Sequence, residues 1–92
     1  MFSKEGKFLY NIGSQGTGDG QLKGPVGLAI DRFNNLIVCD GDNRRLQIFG
    51  LDGKFVTKID KLFSSVPWSV AMSNNGKVFV TDFGKDCVYV FQ

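Results

Sequence analysis

The chain has 92 residues, of which 42% are hydrophobic and 22% are charged, and its formal net charge is +2. This is the composition of a soluble globular domain, neither disordered nor collagen-like, and the small positive charge allows an anionic partner without requiring one. No apolar run approaches the roughly 20 residues of a membrane-spanning helix, and the first residues lack the apolar core of a signal peptide, so a cytoplasmic protein is expected.

Apolar and polar residues alternate along eight short segments of the chain, and turn-forming residues separate these segments. A period of two predicts β-strands, and intervening sequences such as "DRFNN", "SNNG" and "LDG" suit tight hairpins. No segment shows a sustained helical period, so an all-β fold of two four-stranded antiparallel meanders is expected. In chain order, the strands are predicted at residues 7–12, 26–31, 36–40, 45–50, 54–59, 68–72, 77–82 and 87–91.

The same pattern of strands occurs twice in the sequence. The tripeptide Gly-Lys-Phe at residues 6–8 recurs 47 residues later, whereas Pro25, Asp40 and Phe49 each recur 42 residues later. The difference of five residues places a longer loop in the first copy, before Pro25. We therefore divide one domain, residues 1–92, into repeat 1 at about 2–48 and repeat 2 at about 49–91. A four-stranded repeat of this length is the size of one β-propeller blade.

The segment "GTGDGQLKGPVGLAIDRFNNLIVCDGDNRRLQIFGLDGKFV" resembles an NHL repeat of the kind found in TRIM-NHL proteins. The match rests on a Gly-rich loop, a Pro-x-Gly opening, and the residues Asp40, Asn43, Arg45, Gln47 and Phe49. The second copy keeps Pro67, Asp82 and Phe91, but has Lys85, Cys87 and Tyr89 in the places of Asn43, Arg45 and Gln47, as in a divergent closing repeat.

This resemblance implies an NHL propeller of six blades, of which the chain would form two. It makes Asp40, Asn43, Arg45 and Asp82 structural positions of the repeat. Arg45 is expected to pair with a carboxylate such as that of Asp40.

Two blades alone would leave apolar flanks uncovered, because one repeat cannot bury its own apolar face. Residues 6–13 are equivalent to the outer strand at 54–59, whose hairpin partner in the second blade would be residues 87–91. We expect residues 6–13 to close the last blade of a neighbouring copy, which gives a head-to-tail homotrimer with six blades. Four copies with eight blades are a less favoured count, and an excised or engineered fragment of a longer protein would show the same features.

Catalytic chemistry finds no support in the sequence. Without histidine, the couples of His with Ser or Cys and the metal ligands of amidating-lyase propellers are missing. The stretch "GSQGTGDGQLKG" lacks both phosphate-loop patterns and predicts a flexible connection between blades. Asp40, Asp42 and Asn43 lack the downstream Glu of a calcium loop. Cys39 and Cys87 form no C-x-x-C pair and are interpreted as free, largely buried thiols. We expect no enzyme activity, metal or cofactor.

The remaining signal is a binding surface. The loops at residues 14–24, 41–44, 61–66 and 83–86 should cluster on one face of a propeller. Cations there could bind phosphates while flat apolar side chains stack unpaired bases. The resemblance to TRIM-NHL propellers implies binding of single-stranded RNA. The candidate contacts are Arg44, Lys85, Lys23, Lys61, Phe83 and Trp68.

The candidate RNA contacts can also be interpreted as residues without a role in binding. The lysines could be solvated, Trp68 could pack between blades, and Asp42 and Asp86 weaken the positive field. A protein-interaction or purely architectural role, natural or designed, therefore stays open as the alternative.

Overall fold

The computed structural model describes residues 6–63 and 65–92, and the fold in these ranges is all-β. A single 3₁₀ turn, Gly41–Asn43, joins two of the strands, and these ranges contain no helix long and apolar enough to cross a membrane. In chain order, the strands are β1 Ser14–Gln15, β2 Gln21–Leu22, β3 Pro25–Ile30, β4 Asn35–Asp40, β5 Arg45–Gly50, β6 Phe55–Ile59, β7 Pro67–Met72, β8 Val78–Asp82 and β9 Cys87–Phe91.

Two antiparallel sheets make up the body of the chain. The first blade has the order β3-β4-β5-β6 and the second blade the order β7-β8-β9. Local side chains close the hairpins: Asp31 Oδ1 accepts hydrogen bonds from the backbone N–H groups of Phe33 and Asn35, both at 2.8 Å. In the second blade, Ser73 Oγ accepts from the Lys77 N–H at 3.1 Å. These are the Asx and Ser turns that the intervening sequences predict.

The prediction of two four-stranded blades is wrong for one blade of the single chain. The second blade has three strands, and residues 7–12 form no strand apart from an isolated bridge at Phe8. A strand requires a hydrogen-bonding neighbour along its length. Residues 10–12 instead lie beside side chains of the first blade. Tyr10 donates its hydroxyl to the Leu51 carbonyl at 2.6 Å, beside a cavity lined also by Leu28. The start of repeat 1, at residue 2, lies outside the described residues.

The hydrophobic core lies between the two blades. Ile37, Cys39 and Leu46 of the first blade are buried against Val70 and Val80 of the second. The buried ring of Phe63, from the linker between the blades, packs edge-on against Tyr89 with centroids 5.1 Å apart. Burial of each such aliphatic or aromatic side chain stabilises the fold by about 1.5–3 kcal/mol. This cluster of buried side chains therefore depends on the contact between the two blades.

Gly27 lies close to the backbone of the second blade. An added Cβ would lie 2.9 Å from the Trp68 carbonyl oxygen and 3.3 Å from Ser69 Cα, both of them backbone atoms of β7. The register shifts between Pro25 and Gly27, as it does between Pro67 and Ser69. The Pro-x-Gly opening of the repeat thus has a packing reason, because only glycine lets the two inner strands approach this closely.

The long loop before β3 is bound to the first blade, which corrects the predicted flexible connection. β1 and β2 form a short parallel pair. Arg45 Nη2 donates to the carbonyl oxygens of Gly18 at 2.9 Å and Gln21 at 2.7 Å, and Gln47 Oε1 accepts from the Gly20 N–H at 2.9 Å. Glycine content alone predicted flexibility, but the buried side chains of β5 satisfy the polar backbone of the loop.

Substitution Gly27→Ala should destabilise the chain by roughly 1–3 kcal/mol, because the new methyl group forces two backbones apart. Urea denaturation followed by circular dichroism measures this loss. Ser69→Ala at the equivalent, exposed position of the second blade is the matched control and should change stability little. If Gly27→Ala unfolds at the same urea concentration as the unmodified chain, the close approach does not constrain the fold.

Candidate functional site

Asp40, at the end of β4, is a fully buried carboxylate that holds three parts of the chain together. Its Oδ2 accepts from Arg45 Nε at 2.7 Å and from Asn43 Nδ2 at 2.9 Å, and its Oδ1 accepts from the Lys23 backbone N–H at 2.7 Å. The expected pairing of Arg45 with Asp40 is present. A buried ion pair of this kind is stable only when further hydrogen bonds satisfy both partners, as they do here.

Bonds beyond the carboxylate bring the predicted loops onto one surface. The Asp42 N–H donates to the Lys23 carbonyl at 3.0 Å, and the Phe83 N–H donates to the Val66 carbonyl at 2.9 Å. Gly41 lies between these two hydrogen-bonded pairs of loops and contacts both. A Cβ added at Gly41 would lie 2.8 Å from the Gly24 carbonyl oxygen and 3.3 Å from Val66 Cγ1. We call the described residues of 14–24, 41–44, 61–66 and 83–86 the loop surface.

The second blade holds its turn with fewer bonds. Asp82 is buried like Asp40, but Cys87 stands where the first blade has Arg45. The Asp82 carboxylate accepts from the Gly84 N–H and from the Tyr89 hydroxyl, each at 3.2 Å. Burial and the hydrogen bond to Asp82 raise the pKa of Tyr89. The sequence analysis did not predict the hydrogen bond between Tyr89 and Asp82. The one sequence feature that pointed to it is the presence of Tyr89 at the position equivalent to Gln47.

The predicted cations all lie exposed on the loop surface. Lys23 and Arg44 belong to the first blade, Lys61 to the linker and Lys85 to the β8–β9 turn. Arg44 and Lys61 adopt left-handed backbone conformations, with φ of 54° and 62°. The exposed carboxylates of Asp42 and Asp86 lie on the same loops.

These carboxylates do not form a metal centre. Within residues 6–63 and 65–92, no group of three or more His, Cys, Asp or Glu side chains is placed to hold an ion. One oxygen of Asp40 is already engaged by Arg45 at 2.7 Å. What the loop surface offers is charge and hydrogen-bonding groups rather than metal ligands.

Trp68 and Phe83 form an exposed aromatic pair. Their ring centroids are 5.2 Å apart at an interplanar angle of 31°, with 49% of Trp68 and 69% of Phe83 accessible. Trp68 lies in the bulge between Pro67 and Ser69, which re-aims its side chain, and Phe83 follows Asp82 directly. Both residues were predicted as candidates from the sequence, but their stacking on one another was not.

The aromatic pair borders a shallow cavity of about 360 Å³ that Asp86, Cys87 and Val88 also line. Cys87 is exposed there, so the prediction of two largely buried thiols is wrong for this residue. The physical reason is its place at the start of β9, where none of the described loops covers it as residues 14–22 cover Arg45. Cys39 is buried, and burial raises the pKa of its thiol to about 11.

Substitution Arg45→Met would leave the Asp40 carboxylate buried without its cation, so the free energy of unfolding should fall by about 3–5 kcal/mol. Chemical denaturation measures the loss. The double variant Asp40→Asn with Arg45→Met removes both charges and should recover part of the stability. Equal stability of the single and double variants would show that the uncompensated charge is not the cause.

Thiol labelling should separate the two cysteines. At pH 8 an aromatic disulfide reagent should modify Cys87 in the folded protein, whereas Cys39 should react only after unfolding, because it is buried and its raised pKa keeps it protonated. Cys87→Ser should abolish the rapid phase. Two equally rapid thiols per folded chain would contradict the burial of Cys39.

Comparison with known proteins agrees with this geometry. The family described as a 6-bladed beta-propeller matches residues 1–65. Protein lin-41 of Caenorhabditis elegans is 42% identical over 50 residues, which are 54% of this chain and 4% of that protein. Protein brain tumor of Drosophila melanogaster is 31% identical over 84 residues, which are 89% of this chain and 8% of that protein.

The E3 ubiquitin-protein ligase NHLRC1 of Rattus norvegicus is 27% identical over 82 residues, 89% of this chain. The chain spans 20% of NHLRC1 and smaller shares of lin-41 and brain tumor, so it corresponds to a small part of each relative. The family match covers more than half of the chain, and the chain therefore belongs to the six-bladed β-propeller family, among its NHL-repeat members.

Proposed function

We propose that the chain is a non-catalytic, self-assembling β-propeller scaffold that binds single-stranded RNA on its loop surface, in the cytoplasm. The observation that carries the proposal is the exposed pair of Trp68 and Phe83, whose ring centroids lie 5.2 Å apart at an interplanar angle of 31°. Leaving two large aromatic rings in water is unfavourable unless a ligand covers them. An unpaired base is a flat apolar partner of matching size, and its stacking contributes about 1–3 kcal/mol.

The charges around this pair suit a phosphate backbone. Lys85 lies two residues beyond Phe83, and Lys23, Arg44 and Lys61 extend the positive charge across the loop surface. The carboxylate of Asp19, in the loop before β3, is compensated by Lys58 at 2.7 Å. Alternation of cations with an aromatic platform is typical of proteins that bind single strands, because each nucleotide offers one phosphate and one base.

A protein-binding role is the second candidate, and a different surface favours it. The turn between β3 and β4 lies at the opposite end of the first blade from the loop surface. There Phe33 is exposed, with the Arg32 guanidinium 5.1 Å from the centre of its ring. Aromatic and arginine side chains together are typical of protein interfaces. The ligase activity named for NHLRC1 belongs to that whole protein, in which a propeller portion would serve as the binding part.

RNA binding should depend on salt and on two named cations. Reversal of Arg44 and Lys85 to Glu should weaken binding of a fluorescent single-stranded RNA at least about tenfold, since charged hydrogen bonds contribute about 1.5–3 kcal/mol each. The slope of log affinity against log salt should become shallower by about 0.7 for each lost phosphate contact. Fluorescence anisotropy at several salt concentrations measures both quantities.

The matched control reverses Arg32 and Lys54, which lie in turns at the other end of the blade and give the same change in net charge. This control should bind RNA as the unmodified chain does. Trp68→Ala should weaken binding with an unchanged salt slope, because it removes stacking but no charge. Equal losses in the Arg44/Lys85 and Arg32/Lys54 variants would reject the loop surface as the RNA site.

A further inference from the structure

The cavity beside the aromatic pair differs in charge from the rest of the loop surface. It measures about 360 Å³, and Trp68 and Phe83 line part of it. The carboxylates of Asp82 and Asp86 line it too, whereas none of the lysines and arginines of the described residues does. The cations that suit a phosphate backbone therefore lie outside this cavity, which we call the acidic cavity.

The two carboxylates of the acidic cavity are in different states. Asp82 is buried and already accepts hydrogen bonds from the Gly84 N–H and the Tyr89 hydroxyl, each at 3.2 Å. Asp86 is exposed, and it takes part in none of the ion pairs that the described residues form. A molecule that fills the cavity removes water from Asp86, and burial of a carboxylate without a partner costs free energy. The occupant must therefore donate hydrogen bonds to Asp86.

This requirement decides which part of a nucleotide can enter. A phosphate group cannot, because it has the same charge as the two carboxylates and offers them no donor. A base has N–H donors along its edge and a flat face for the rings of Trp68 and Phe83. Lys85 precedes Asp86 in the chain and is exposed, so it is available to the phosphate of the same nucleotide. The base is thus the part that matches the cavity.

The bases differ in how well their edges match a carboxylate. The two oxygens of a carboxylate accept side by side, so they pair best with two adjacent donors. Guanine has such donors in N1–H and the N2 amino group. Adenine and cytosine place an accepting ring nitrogen next to their amino group, and that nitrogen would face the second oxygen. Uracil has a single N–H between two carbonyl oxygens. Guanine is therefore the base that satisfies both oxygens of Asp86.

Two further groups of the acidic cavity fit a guanine. Its O6 atom remains as an acceptor beside N1–H, and the Thr81 hydroxyl and the Cys87 thiol are exposed donors that line the same cavity. The double ring of a purine also covers more of the aromatic pair than a pyrimidine does, and stacking grows with the covered area. Donors, acceptor and ring size thus agree on one base.

From these observations we infer that the acidic cavity binds a guanine base of single-stranded RNA, whose N1–H and N2 amino group donate to the Asp86 carboxylate while its ring stacks on Trp68 and Phe83. The inference rests on the proposed function, since it names a base that the RNA-binding surface selects. It gives Asp86 a role in selection, although this carboxylate weakens the overall positive field. Asp86 is a specificity-determining residue in this arrangement.

Inosine provides the sharpest test, because it differs from guanosine only by the missing N2 amino group. Fluorescence anisotropy compares labelled oligouridines whose central residue is guanosine, inosine, adenosine or uridine. The unmodified chain should bind the guanosine RNA at least about tenfold more tightly than the other three, because each of those leaves an oxygen of Asp86 without its donor. Equal affinity for the guanosine and inosine RNAs would overturn the inference.

Substitution Asp86→Asn tests the residue. Asp86 has a left-handed backbone with φ of 52°, which asparagine also tolerates, so the fold should be kept and circular dichroism checks it. An amide offers one acceptor and can pair only with the N1–H and O6 edge that guanosine and inosine share. The ratio of the two affinities should therefore fall to about one. Affinity for the uridine RNA should not fall, because the variant removes a negative charge, whereas a purely structural role would lower all four affinities together.

Asp42→Asn is the matched control. Asp42 is an exposed carboxylate of the same loop surface, but it lies outside the acidic cavity, and its substitution changes the net charge equally. This control should keep the preference for guanosine over inosine. Loss of the preference in both variants would assign the effect to charge alone and overturn the role of Asp86.

Tryptophan fluorescence reports the occupant directly, because Trp68 is the single tryptophan of the chain. The guanosine RNA should quench it at lower concentration than the inosine RNA. An arginine side chain also donates twice to a carboxylate, so a peptide of alternating arginine and serine is titrated without RNA. Quenching by this peptide that Asp86→Asn removes would assign the cavity to a basic protein segment and overturn the inference.

The outcomes separate the base preference from the proposed function. A preference for guanosine that Asp86→Asn alone removes supports the inference. RNA binding without this preference, or with a preference that survives Asp86→Asn, overturns the inference and leaves RNA binding standing. Failure of all four RNAs to bind overturns both. If Asp86→Asn does not fold, the comparison of guanosine with inosine on the unmodified chain still decides.

Discussion

The structure depends on one constraint: a β-sheet blade has two faces, and the faces that form the main core of this chain are buried by packing the two blades against each other. In this chain the core lies between the sheets, where Val70 and Val80 meet Ile37 and Leu46. The same constraint explains Gly27, since the inner strands must approach to within contact of their backbones for those side chains to interlock.

The buried carboxylate at the end of each second strand organises the loop surface, and the two blades use it differently. In the first blade, Asp40 is neutralised by Arg45, and the bonds of Arg45 and Gln47 to the long loop keep that loop in place. In the second blade, Asp82 accepts from a hydroxyl and a backbone N–H, and an exposed thiol stands in the position of the missing arginine. The exposed aromatic pair lies in this more open turn.

Assembly and ligand binding would affect different parts of the molecule. The flanks carry aliphatic and aromatic side chains along the strands, whereas the cations lie in the turns at one end of the blades.

The sequence by itself determined the strands from β3 to β9, their turns, the two-fold repeat and the family, because alternation, turn residues and repeat offsets are local or periodic features. It also indicated the pair of Asp40 and Arg45, since the repeat keeps these residue types at fixed spacing. Only the tertiary structure decided that residues 7–12 lie across a flank rather than in a sheet, that Arg45 holds the long loop, that Trp68 stacks on Phe83 and that Cys87 is exposed. These outcomes depend on which surfaces meet in space and which edges stay open, and residues far apart in the chain acquire such contacts only when the blades pack.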